Sequence, residues 1–258
     1  MSNHGLQMPE GVQVDEVSDS KGQFTMGPLE RGYGVTIGNA LRRVLLSSLR
    51  GLAITAIKID GVQHEFSTVP GVTEDVSDII LNLKEVRFSA EEMREGHLHL
   101  NLEGPGNWTA ADIGETTPEF EVLNPEQHIA TMAEDAVVNV DLRVGYGRGY
   151  VPSEENKRED DPIGVIAVDS IFTPIKNVKY EVKPTRVGQK IDYEELVLDV
   201  ETDGSLTPEE AVTQAASILR DHVSFFIQLE EEPEPVVEEQ EVDEEVKRIR
   251  ELLAQSVD

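Results

Sequence analysis

The stretch from Leu29 to Gly51, LERGYGVTIGNALRRVLLSSLRG, constrains this chain more than any other. From Thr36 it predicts a helix, because Thr36 offers an N-cap hydroxyl, no proline interrupts the run, and Gly51 stands where a helix would close. On a helical wheel Ile37, Ala40, Leu41, Val44, Leu45 and Leu49 cover an arc of about 180°, wider than a one-sided surface helix needs. Such a helix is expected to touch two neighbours. Leu46 falls on the opposite face, flanked by Arg42 and Arg43. That placement fits a protein-binding anchor and fits a scattered surface leucine equally well.

A second helix repeats the surplus. Thr207, with Pro208 at the first helical position and Glu210 three residues on, predicts a capping box. Beyond it Ala211, Val212, Ala215, Ala216, Ile218, Leu219, Val223, Phe226 and Leu229, with Phe225 and Ile227 at the edges, span roughly 200°. Either one helix covers the other within the chain, or a second copy covers what one copy cannot.

The remainder alternates like β-structure. Val12 to Val17 and Gly22 to Met26 predict a hairpin, and ITAIKIDGV with His64 to Thr68 predicts strands after Gly51. Val76 to Leu83 has helical spacing, with Thr73 and Glu74 as upstream caps. Strand-like runs recur at Leu98 to Leu102, Phe120 to Leu123, Ala136 to Val144 and Val165 to Phe172, then at IKNVKYEV and at Glu195 to Val200 before the Asp203-Gly204 turn. Ser153 to Asp161, SEENKREDD, reads as a solvated, mobile loop. The expected class is α+β, with antiparallel strands, two long helices and a mostly β middle block.

Charge narrows the function. Glu230 to Glu245 holds ten acids and no base, yet the rest still carries −19 of the net −29. Such a surface repels phosphate backbones, which argues against broad nucleic-acid binding. It also suggests a salt-rich cytoplasm in the source organism, where strong screening is tolerated. Without cysteine there is no disulfide or thiolate chemistry. No apolar run reaches the length of a membrane span and no leader opens the chain, so a cytoplasmic location is the default. The glycines at 32, 34 and 38 miss the dinucleotide fingerprint by one position, and no phosphate loop, nucleophile elbow or HExxH is present. His97 and His99 share a strand face, which suits a metal pair or plain exposed positions. Gly145 to Gly149, GYGRG, is backbone-permissive, and Arg148 within it can reach a partner.

Six ordered blocks carry a resemblance: LERGYGVTIGNALRRVLLSS, IDGVQHEFSTVPGVTEDVSDIILNLK, TAADI, LNPEQHIAT, GRGYVP and DGSLTPEEAVTQAASIL. Together they cover most of Pro9 to Leu229, and they resemble the N-terminal assembly domain of bacterial RNA polymerase α subunits. The resemblance implies a non-catalytic subunit that pairs with a second copy of itself and recruits the two large subunits, β and β′, with no cofactor and no metal. It divides the chain into a discontinuous dimerisation subdomain at 8–51 and 174–229 and an inserted subdomain at 52–173. An acidic disordered linker follows at 230–245, and 246–258 resembles the start of a C-terminal DNA-binding domain. Direct DNA binding is not expected from the segment in hand. The dimer residues it implies are Ile37, Leu41, Leu45, Leu49, Ile218, Leu219, Phe225, Phe226 and Leu229. Those facing β are Arg43, Leu46, His64, Glu65, Ser67, Thr68, Thr73, Glu74, Asp75 and Lys84. Those facing β′ are Arg148, Gly149, Tyr150, Val168, Asp169 and Pro174. Two other readings are a small-molecule enzyme using the glycine-rich turn or the histidines, and a dimeric module outside transcription.

Overall fold

The computed structural model describes residues 6–188 and 190–227, and the chain divides into two units, 1–219 and 220–258. It opens on a hairpin, β1 (Gly11–Val17) and β2 (Lys21–Glu30), followed by α1 (Tyr33–Ser48). Only Leu49 separates α1 from β3 (Arg50–Ile59). The middle continues as α2 (Val76–Leu83), β4 (Phe88–Ser89), β5 (Gly96–Glu103), β6 (Gly106–Thr109), α3 (Ala110–Gly114), β7 (Glu121–Val122) and β8 (His128–Met132). After these come β9 (Val137–Arg148), β10 (Tyr150–Val151), the helical turn α4 (Ser153–Asn156), β11 (Val165–Ala167) and β12 (Ser170–Ile171). A long hairpin, β13 (Ile175–Val187) and β14 (Lys190–Thr202), leads into α5 (Pro208–Ile227).

Two antiparallel sheets, each of four strands, organise two cores. The first sheet has the order β1-β2-β14-β13, with α1 and the start of α5 packed on it. Its core joins Phe24, Leu45 and Leu49 to Ile175, Val178, Leu198 and Val200, with Ala211 and Ala215 from α5. Glycines let α1 approach this closely: a Cβ on Gly38 would lie 2.7 Å from the Tyr180 ring and 2.8 Å from Leu196. The second sheet has the order β11-β3-β9-β5. Its core, drawn from 52–168, packs Ile57, Ile59, Leu100 and Leu142 with Ile79 and Leu83 of α2 and Ile113 of α3. Alternation explains β5, where Leu98 and Leu100 point in while His97 and His99 point out.

Local sequence gives α5 its start. The Thr207 hydroxyl and N–H both donate to the Glu210 carboxylate at 2.8 and 3.1 Å, and Glu210 N–H donates back to the hydroxyl at 3.3 Å. Helix α1 departs from expectation at both ends. It begins at Tyr33, because Gly32 (φ 91°) turns the chain and a distant carboxylate, Glu194, accepts from the N–H groups of Gly32 and Gly34 at 2.9 and 3.2 Å. The Thr36 hydroxyl does not cap; it donates to the Gly32 carbonyl at 3.0 Å. Nor does Gly51 close the helix. It lies in β3, pressed on the Phe172 carbonyl where any Cβ would collide.

Four further expectations are corrected. Helix α2 has the predicted span, but its cap is Asp75, which accepts from Asp78 N–H at 2.9 Å. His64 to Thr68 turns instead of extending, with Ser67 N–H donating to the His64 carbonyl at 3.2 Å. The run 165–172 splits into β11, paired with β3, and β12, paired with β10. The loop at 153–161 is fastened from below: Arg143, buried on β9, donates to Asp161 at 2.6 Å and to the Asn156 carbonyl at 2.8 Å. The expected linker at 230–245, the segment 246–258 and Leu229 lie outside the described residues.

Candidate functional site

Arg43 projects from the outer face of α1 into solvent, its carbonyl accepting from the Ser47 hydroxyl at 2.8 Å. Leu46 is not the isolated leucine the wheel suggested. It is half-buried against the first core, and beside it Arg42 Nε donates to the Val178 carbonyl of β13 at 3.2 Å.

The loop between β3 and α2 carries the next group of expected residues. His64 Nδ1 and Ser67 Oγ lie 3.1 Å apart, and the Glu65 carbonyl accepts from the Ser77 hydroxyl at 2.8 Å. Thr68 bridges to Asp75, which fixes the loop to the start of α2. Phe66 at its tip is 80 % exposed, and Ile163 is 92 % exposed. Both line one groove of about 550 Å³ together with His64, Glu65, Lys157 and Arg158. Sequence reasoning missed both residues. Their only signal is a large apolar side chain set among polar loop residues, which spacing rules do not register.

Glu74 serves as a tether instead of a helix cap. Its carboxylate accepts from Thr131 N–H at 2.6 Å and lies 2.9 Å from His128 Nε2, while Thr73 N–H donates to the Thr131 carbonyl at 3.0 Å. Burial pushes the Glu74 carboxyl up, but the bonds from Thr131 and His128 outweigh it and hold the group below its ordinary range.

Residues expected at two different partners meet at one place. Lys84 Nζ reaches Asp169 Oδ2 at 2.6 Å, both half-buried, and the Tyr150 hydroxyl donates to the same oxygen at 3.3 Å. Burial raises the Asp169 carboxyl, yet the Lys84 ammonium prevails and its pKa is lowered. The Tyr150 hydroxyl is shifted up by desolvation and by the Asp169 charge. Gly149, at φ 61°, makes the turn that lets its carbonyl accept from Phe172 N–H at 2.8 Å. A Cβ at Gly149 would sit 3.9 Å from the Ser47 carbonyl, so this turn lies beside the end of α1. Arg148 is exposed. Val168 and Pro174 are corrected: both are buried within the chain, Val168 in the second core, and neither side chain is free to meet a partner.

The expected dimer residues also divide. Leu45 and Leu49 are withdrawn from that list, because they fill the chain's own first core. Ile37, Leu41, Ile218 and Leu219 are half-buried. Toward the end of α5 the helix stays apolar but bare: Val223 is 50 %, Phe225 69 %, Phe226 73 % and Ile227 74 % exposed.

Among the described residues the histidine pair meets only one acid, with His99 Nδ1 2.7 Å from Asp141. Among the described residues no three His, Asp or Glu side chains are placed to hold a metal ion, and no helix is long and apolar enough to cross a membrane.

Comparison with known proteins fits this geometry. A family model described as the RNA polymerase Rpb3/RpoA insert domain matches residues 57–173. The DNA-directed RNA polymerase subunit alpha of Salinibacter ruber is 90 % identical over 258 residues, all of this chain and 79 % of that relative. Those of Chloroherpeton thalassium and Prosthecochloris aestuarii are 58 % and 55 % identical, each over 96 % of this chain and 77 % of theirs. With identity this high across the whole length, the chain belongs to the bacterial DNA-directed RNA polymerase alpha-subunit family.

Proposed function

We propose that this chain is the assembly scaffold of a bacterial polymerase: two copies pair, and the pair recruits the large subunits β and β′ while supplying no catalytic group. The bare end of α5 carries this reading. Four apolar side chains within five residues, two of them phenylalanines, stand in water on a single copy, an arrangement that soluble chains reserve for interfaces. Ile37 and Leu41 on α1, with Ile218 and Leu219, add half-covered apolar surface.

The part built on the first core, 8–51 and 174–229, is then the dimerisation subdomain, and 52–173 is the insert. Arg43, Leu46, the loop from His64 to Asp75 and Lys84 face β in one copy, and Arg148, Gly149, Tyr150 and Asp169 face β′ in the other. Because Lys84 and Asp169 share an ion pair, each supports the other's surface. The bonds behind the displaced titrations support a structural role: Glu74, Asp161 and Asp169 each hold one segment of chain to another. No cofactor is called for, direct DNA binding is not expected from so acidic a surface, and the location is cytoplasmic.

Light scattering tests the pairing. The chain should run at the mass of two copies, and Phe225→Asp with Phe226→Asp should reduce it to one without changing Trp108 fluorescence. A wild-type chain that stays single at micromolar concentration overturns the proposal. Arg43→Ala should keep the pair and lose β in a pull-down; loss of both would mean that Arg43 serves folding.

A further inference from the structure

Two arginines oppose each other where the sheets meet. Arg50 opens β3, Arg148 ends β9, and the register pairs them directly across the ladder. Paired residues share a face, so both guanidinium groups lie on one side, with the exposed Tyr146 two residues along the same strand face. Both arginines are exposed, and neither has an acid within 4.0 Å or a side-chain hydrogen bond among the described residues. Arg43 is equally unpaired, one turn before Ser47, whose carbonyl borders the Gly149 turn that follows Arg148.

This is an unexpected place for bare cations. The chain has 51 acids for 22 bases, so a surface arginine has carboxylates to spare. Like charges directly opposite on neighbouring strands repel, and among the described residues no acid lies within 4.0 Å to relieve them. A carboxylate from outside would do so, and the planar guanidinium fork accepts one bidentately. Exposed tyrosine beside arginine is also the pairing that concentrates binding energy at protein interfaces.

We infer that Arg50 and Arg148 form a cationic clamp for a carboxylate-bearing segment of the β′ subunit. A protein segment fits better than nucleic acid. Two adjacent cations suffice for a short acidic run, whereas a phosphate backbone would have to track across a chain of net charge −29. The inference rests on the docking role proposed above and adds to it the chemistry of the partner's surface.

Pull-downs of each large subunit, purified separately, by the full-length chain test it over a range of salt. Arg50→Ala with Arg148→Ala should weaken capture of β′ about tenfold and flatten its salt dependence, with capture of β and the mass of the pair unchanged. Arg186→Ala, an exposed cation elsewhere on β13, should change nothing. Arg148→Glu should separate binding from folding: it replaces a repulsive cross-strand pair with an attractive one, so thermal unfolding should rise by about 1–3 °C while capture falls further. Undiminished capture in both Arg148 variants, or a lower unfolding midpoint for Arg148→Glu, overturns the clamp. So does short duplex DNA that binds the wild type and not the double variant. If Arg43→Ala loses β while the double variant keeps β′, the docking role stands and the clamp falls; if neither loses capture, both fall.

Discussion

The insert and the sheet that carries α1 and α5 solve the burial problem differently. The insert gathers 27 buried apolar residues into one core closed by α2, α3 and short hairpins, whereas the other part gathers nine and leaves a fringe of half-covered side chains. Larger cores are self-sufficient because burial scales with apolar area removed from water. The difference leaves the part around the first sheet with apolar surface that one copy does not cover, which the proposed pairing would bury.

Four experiments would break or sharpen that contrast, and the single tryptophan helps, since Trp108 is buried in the insert core and reports on it alone. The largest effect is expected from Arg143→Met. Removing the guanidinium strands the Asp161 carboxylate in a mostly buried site, at a cost of about 3 kcal/mol, read as a lower urea midpoint by Trp108 fluorescence. A change below about 1 kcal/mol would mean that the loop, not the core, holds Asp161. Gly38→Leu should cost about 1–3 kcal/mol by driving a side chain into Tyr180 and Leu196. Its effect should appear in the mass of the pair and in far-UV circular dichroism, with the Trp108 transition unmoved. A shifted Trp108 transition would show that the two cores unfold together. Glu194→Gln should cost about 1 kcal/mol by weakening the charge at the start of α1, seen as faster amide exchange over the first turn.

The smallest effect concerns acid. Glu74, Asp161 and Asp169 all lie in the insert, and each folded carboxyl titrates below its ordinary value. The stability they add is present above the ordinary carboxylate range, near pH 4, and is lost as pH falls through the folded values. Trp108 should therefore report a midpoint that declines on acidification more than that of the first sheet. Equal declines would assign acid sensitivity to the whole chain.

What could be read in the sequence depended on how far apart the partners stand. The start of α5 was legible because Thr207 and Glu210 lie three residues apart, and so was the span of α2. The start of α1 was not, since its cap arrives from Glu194, about 160 residues along the chain. Leu46 looked isolated on a wheel because a wheel has no neighbouring sheet. Leu45 and Leu49 looked fit for a partner because apolar spacing does not say which surface arrives first. The pairing of Lys84 with Asp169, and of Arg143 with Asp161, was hidden for the same reason: charge in a loop reads as solvation until the fold supplies its counterion. Arg50 drew no notice because its meaning lies in the residue across the ladder.

The junction of α1 with β3 has a mechanical consequence. Only Leu49 lies between them, and it is buried, so the joint has no slack to absorb torque. Twist applied at one end of this joint is delivered to the other, and the only other crossing is the short return at 172–174. One amino acid added there would invert every facing of β3, turning Ile57 and Ile59 outward.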